Sequence, residues 1–174
     1  AAHDAGLLHR DLKPANVLVR WQDGAPHPMV CDFGLVRSDE SMEHTRPGVI
    51  MGTPGYMSPE QLLGRADVDP RTDVFSMGAL LYTLCGSRPP FASRNLLELD
   101  EEMRRGPPPL DTAHRALPER MQVAIRAALQ HDRGARPGTM AQLHALWCGA
   151  SDAPSVEPSI VHIPVSYTHL TLPT

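Results

Sequence analysis

The run TDVFSMGALLYTLCG, residues 72–86, constrains the fold more than any other stretch of the chain. Val74, Met77, Leu80, Leu81 and Leu84 recur at helical spacing, and the apolar character extends around much of the circumference. A helix of that kind has no face to give to water, so other elements must enclose it. Gly86 is placed to end it. With 174 residues, the chain can build one domain around such a helix but not two ordinary ones.

The neighbouring segments supply shorter elements. NVLV and PMVCDF are β-rich runs joined by RWQDGAPH, whose Asp23-Gly24 pair is a turn signal, so a hairpin is expected from about Asn16 to Cys31. Between Gly34 and Gly55 no periodicity persists, and a loop that long inside a compact domain is usually functional. NLLELDEEMRR reads as an amphipathic helix stopped by GPPP. PERMQVAIRAALQ reads as a helix starting at Pro118, with Met121, Ile125 and Leu129 at four-residue steps. In TMAQLHALW, Thr139 and Gln142 stand in capping-box register. Beyond Trp147 the pattern gives way to GASDAPSVEPSIVHIP, a Pro/Ser-rich linker over 149–164.

Composition narrows the class. A hydrophobic share of 41% and a charged share of 21% belong to a globular rather than a disordered chain. A formal charge of -4 gives no reason to expect nucleic-acid or anionic-membrane binding. Cys31, Cys85 and Cys148 form no CxxC pair and leave one odd, which points to neither a zinc site nor a disulfide framework, and suggests a reducing compartment. Lys13 is the single lysine among 16 basic residues, a bias that reads as codon usage in a GC-rich genome.

That lysine lies in the chemically richest stretch, LLHRDLKPANVLV. An acid, a base and an amide stand there at fixed spacing inside an apolar frame, as phosphoryl transfer requires. HRDLKPAN (His9 to Asn16) matches the catalytic-loop pattern of protein kinases, and DFG (Asp32 to Gly34) follows it. GTPGYMSPE (Gly52 to Glu60) resembles the end of the kinase activation segment, with Ser58-Pro59-Glu60 where many members have Ala-Pro-Glu. Asp73 heads the apolar helix, and Arg136 lies in RGARP. Over about residues 1 to 147 the chain resembles the serine/threonine protein kinases, most of all the bacterial ones of eukaryotic type.

The resemblance implies a role for each matching residue. Asp11 would accept the substrate hydroxyl's proton, and Lys13 would neutralise the moving γ-phosphate of ATP. Asn16 and Asp32 would supply hard oxygen ligands for Mg²⁺, or Mn²⁺, and Leu18 an apolar floor under adenine. Arg10 would pair with a phosphate on the activation loop, with Thr45 the favoured acceptor over Ser38 and Ser41. Thr53 would face Asp11 and Lys13. Glu60 and Arg136 would form a buried ion pair, and Asp73 would hold the catalytic-loop backbone. Cys31 would line the nucleotide pocket, although a plain small buried hydrophobe is the favoured reading of it. Two departures, Phe75 where the family often has Trp and Arg133 where Pro is usual, put little in doubt. The implied partners are protein substrates with Ser or Thr acceptors, without nucleic acid. The implied location of the catalytic part is cytoplasmic, with a membrane involved only if a transmembrane helix follows in the full-length protein.

The expected fold class is mainly α: a kinase-like C-lobe over 1–148 with a small β-hairpin carrying the catalytic loop and DFG, and the N-lobe absent. Upstream of His9 there is no glycine-rich loop, strand lysine or partner glutamate, and AAHDAG is left as the tail of a longer helix. The 174 residues alone are therefore expected to fold marginally and to transfer no phosphate. A non-catalytic interaction module is the alternative, against which Asp11, Asn16 and Asp32 argue. VSYTHLTLPT (165–174) resembles the in-frame translation of a transposase-type sequencing adapter, which would place the native end near Pro164.

Overall fold

The computed structural model describes residues 2–33, 54–110 and 117–149. Most of the expected activation loop, including Ser38, Ser41, Thr45 and Thr53, lies outside the described residues, as do residues 150–174 with the expected linker and tail.

Two short 3₁₀ turns, His3–Ala5 and Pro14–Asn16, lead into a pair of strands. β1 (Val17–Gln22) and β2 (Ala25–Val30) pair antiparallel, from Val17 opposite Val30 to Gln22 opposite Ala25. Asp23 and Gly24 both take positive φ, 51° and 78°, the two-residue turn whose twist matches a hairpin. The ladder is prolonged by the Cys31 N–H donating to the Asn16 carbonyl at 2.9 Å. Pro26 and Pro28 face Trp21 and Val19, and proline is tolerated there because β2 is an edge strand. Most of the hairpin is exposed, Trp21 by 72%.

This corrects the expected fold class. A β-hairpin near the N-terminus precedes the α-helices, which does not fit a helical C-lobe lacking its N-lobe. The expectation leaned on where the chain starts, and a starting point carries no physical information about the fold around it.

The helices follow as α1 (Pro59–Leu62), α2 (Arg71–Gly86), α3 (Leu96–Arg105), α4 (Glu119–Ala128) and α5 (Met140–Cys148). Helix α2 is the central one. Val74, Phe75, Ala79, Leu80 and Tyr82 are buried; Phe75, Ala79 and Tyr82 cluster with Leu99 and Met103 of α3 and Ile125 of α4, and Val74 with Ala124 and Ala128 of α4. Phe75 stacks on Phe91 with centroids 6.0 Å apart, so the smaller ring fits a core in which the family often has Trp. The caps follow the sequence closely: the Asn95 side chain accepts from the Leu97 and Glu98 N–H groups, and Thr139 accepts from Gln142.

Two details differ from the sequence reading. Gly86 remains helical, and Ser87 takes the left-handed position at φ 59°. A Cβ at position 86 would lie 3.1 Å from Leu110 Cδ2, a close contact that a small shift of the leucine end would relieve. Helix α2 is also not enclosed all round. Leu84 is 69% exposed, and Met77 and Leu81 line an apolar groove of about 820 Å³ shared with Leu12, Phe33, Leu143 and Trp147.

The contact between α2 and α4 is glycine-mediated. A Cβ on Gly78 would come within 2.6 Å of Ala128 Cβ and 3.3 Å of Leu129 Cγ. Gly78→Ala is therefore expected to push α2 and α4 apart and to destabilise the protein by about 1–3 kcal/mol, read as a lowered denaturant midpoint.

Candidate active site

The site is assembled on one buried carboxylate. Asp73, in the first turn of α2, is 1% exposed. Its Oδ2 accepts the His9 N–H and its Oδ1 the Arg10 N–H, both at 2.8 Å. His3 Nε2 reaches the same Oδ2 at 2.8 Å. These bonds fix a backbone that would not hold its shape alone. Arg10 has φ 63°, a left-handed conformation costing an arginine on the order of 1–3 kcal/mol.

The next residues carry the charges. Lys13 Nζ lies 2.7 Å from Asp11 Oδ2. Asn16 Nδ2 donates to the same Oδ2 at 3.1 Å and to the Asp11 carbonyl at 2.7 Å. Both amide hydrogens of Asn16 are thus committed to Asp11, and among the described residues nothing donates to its Oδ1. Asn16 is buried within the single 3₁₀ turn Pro14–Asn16, while Asp11 and Lys13 are half-buried and open to a ligand.

Asp32 enters from the far end of the hairpin. Its φ is 56°, in the left-handed region that Asp tolerates better than most residues. The Cys31 backbone bond to Asn16 brings the two segments side by side, and His9 Nε2 binds the Cys31 carbonyl at 2.9 Å. The His9 ring also meets Phe33, with centroids 4.8 Å apart. Burial, and then the negative charge of Asp32, push the Cys31 thiol pKa up, so it stays protonated and inert. Two protein oxygens, Asn16 Oδ1 and the Asp32 carboxylate, suit a hard cation that keeps water and phosphate oxygens as its other ligands. Among the described residues no cluster of three His, Cys, Asp or Glu side chains could hold a metal by itself.

The structure thus groups Asp11, Lys13 and Asn16 directly, with Asp73 and Arg10 behind them. Leu18, on β1, is 53% exposed and makes no bond to the charged cluster. Glu60 and Arg136 form a separate unit. Arg136 Nη1 and Nη2 meet Glu60 Oε1 and Oε2 at 2.8 and 2.9 Å, and Thr72 Oγ1 donates to Glu60 Oε1 at 2.8 Å. Arg136 also donates to the Gln130, His131 and Arg71 carbonyls and lies 4.9 Å above the Phe75 ring. His3 and Gln61 carry contacts to the site that motif reading passed over, because each lies outside the charged octet and touches it only through folding. Gln61 stands in capping-box register with Ser58, a sequence signal that marks a helix start but not a tie to Arg10.

The protein kinase domain model matches residues 1–148, so the chain belongs to the protein kinase family. Its relatives include serine/threonine-protein kinases of bacteria. Pkn1 of Myxococcus xanthus is 43% identical over 75% of this chain and 18% of its own length. AfsK of Streptomyces coelicolor is 38% identical over 87% of this chain and 18% of its own length. The chain therefore spans about a fifth of the length of the curated relatives it matches. A solved structure of the Rad53 kinase domain and SCD2 in complex with AMPPNP aligns with a TM-score of 0.62 at 24% identity, covering 89% of this chain and 55% of that one. These matches complete the correction of the fold class, since they describe a protein kinase domain over a range that includes the hairpin at 17–30.

Burial alone would raise the Glu60 pKa, but the hydrogen bonds and charge of Arg136, with Thr72, outweigh it and hold the carboxyl below its usual range. A carboxylate whose pKa is lowered on folding adds stability above its unfolded value, and that stability is lost as pH falls through the folded value. Glu60→Gln is therefore expected to flatten the acid limb of the stability-pH curve. Glu60→Ala, which leaves Arg136 buried and unpaired, is expected to cost about 3–5 kcal/mol in urea unfolding at neutral pH.

Proposed function

We propose that the whole protein carrying this chain transfers the γ-phosphate of ATP to Ser or Thr hydroxyls of protein substrates. The observation that carries this reading is the Asp11 carboxylate, paired with Lys13 at 2.7 Å and braced by Asn16 at 3.1 Å. A scaffold would have no use for a half-buried carboxylate, lysine and amide locked to one another.

In this reading Asp11 orients the acceptor hydroxyl and takes its proton as the oxygen bonds to the γ-phosphorus and the bond to the β-phosphate bridging oxygen breaks, releasing ADP. Lys13 stays close to Asp11 and offsets negative charge on the transferring group. Asn16 Oδ1 and Asp32 would hold Mg²⁺, or Mn²⁺, which supplies charge neutralisation on the phosphates. Leu18, exposed on β1, offers an apolar surface for adenine. Arg10, exposed beside Asp11, would receive a phosphate on Thr45, and Thr53 would shape the acceptor site. Glu60, Asp73 and Arg136 act as supports.

Residues 1–148 are proposed as the domain unit, 149–164 as a linker and 165–174 as non-native. A cytoplasmic location of the catalytic part fits ATP as the donor. Among the described residues no helix is long and apolar enough to cross a membrane. The 174 residues alone, about a fifth of the length of their relatives, are proposed to transfer no phosphate.

The test is transfer from γ-labelled ATP to serine- and threonine-containing proteins by the whole protein. Asp11→Asn is expected to lower kcat by about 10²–10⁴-fold. In the same assay Thr45→Ala is expected to lower activity and to remove one phosphopeptide. Full activity of Asp11→Asn would overturn the catalytic assignment, an unchanged phosphopeptide map the regulatory one, and transfer by the isolated 174-residue chain the last proposal.

A further inference from the structure

One side chain outside the residues assigned so far joins two segments of the site. Gln61 is the third residue of α1, and its side-chain amide works at both ends. Its Oε1 accepts the Ser58 N–H at 3.2 Å and lies 3.4 Å from Ser58 Oγ, while the Ser58 side chain accepts from the Gln61 N–H. Its Nε2 donates to the Arg10 carbonyl at 2.7 Å, across 51 residues of sequence. The orientation of the amide follows from chemistry. A backbone N–H can only donate and a carbonyl can only accept, so the oxygen must face Ser58 and the nitrogen Arg10.

The Arg10 carbonyl belongs to the peptide group whose N–H is that of Asp11, and that N–H approaches His9 Nδ1 at 3.3 Å. The preceding peptide is held through the Arg10 N–H on Asp73. Asp73 thus grips the strained Arg10 backbone from one side and Gln61 from the other. Removing either leaves the peptide plane before Asp11 free to turn, and with it the direction of the Asp11 side chain.

We propose that Gln61 is a positioning residue for phosphoryl transfer, coupling the segment that ends at Ser58 to the orientation of Asp11. The inference rests on the kinase reading above. It gives the Ser58-Pro59-Glu60-Gln61 turn two distinct duties. Glu60 anchors it to Arg136 for stability, and Gln61 transmits its seating to the catalytic segment.

Gln61→Glu separates the two duties of the amide. A glutamate keeps the capping box, because its carboxylate still accepts the Ser58 N–H. It loses the donor and sets an oxygen against the Arg10 carbonyl. In the whole protein, Gln61→Glu is expected to keep a melting temperature above that of Gln61→Ala and a wild-type KM for ATP while kcat falls by about tenfold or more. Gln61→Ala is expected to lower both kcat and melting temperature. Wild-type kcat in Gln61→Glu would overturn the inference. So would a melting temperature lowered as far as in Gln61→Ala, which would make the residue a helix cap only. A wild-type protein without phosphotransfer would instead overturn the kinase reading itself.

Discussion

The buried carboxylate of Asp73 is the interaction on which the rest of the site depends. Nearly without contact with water, it must be fully hydrogen-bonded or it would destabilise the helix that carries it. Its partners are the N–H groups of His9 and Arg10 and the His3 ring, all from the segment that leads into Asp11. One charge therefore converts the rigidity of the central helix into a defined loop. Hydrogen bonds to a charged group contribute about 1.5–3 kcal/mol, enough to hold a left-handed arginine that would otherwise relax.

Around this anchor the charged groups are arranged by polarity. Lys13 and the Asn16 amide hydrogens converge on Asp11, leaving the Asn16 carbonyl oxygen for another partner. Glu60 and Arg136 do a different job. Their bidentate pair, with three carbonyls and an aromatic face around the guanidinium, locks the turn after Ser58 to the loop before α5. Such a pair contributes little net stability over an apolar substitute, but losing one partner is severe, and that asymmetry fixes the register of the turn.

Much of this was legible in the sequence where the controlling physics is local. The Asp23-Gly24 turn, the Thr139 cap and the helix after Pro118 are set by neighbours in the chain, and each stands where the pattern puts it. The closeness of Asp11, Lys13 and Asn16 is local as well. Beyond the pairs that the resemblance implies, Glu60 with Arg136 and Asp73 with the catalytic loop, long-range contacts were not legible. The Gln61 bond to Arg10 and the His3 bond to Asp73 span 51 and 70 residues, and no periodicity reports them. Gly86 is the last residue of α2, and the left-handed position falls one residue later, on Ser87, where the sequence carries no glycine to signal it. The hairpin stands where the β-rich runs put it, and the fold class differs only in the lobe, because a chain's first residue carries no information about the fold around it.

The most direct measurement is hydrogen exchange at the His9 and Arg10 amides, in the wild type and in Asp73→Asn. The account predicts that both amides are protected in the wild type. In the variant at least one should exchange about tenfold faster or more, while the Leu80 and Ala124 amides in the helical core keep their rates. Protection of both amides surviving in Asp73→Asn would contradict it, because the catalytic segment would then owe its shape to something other than the buried carboxylate.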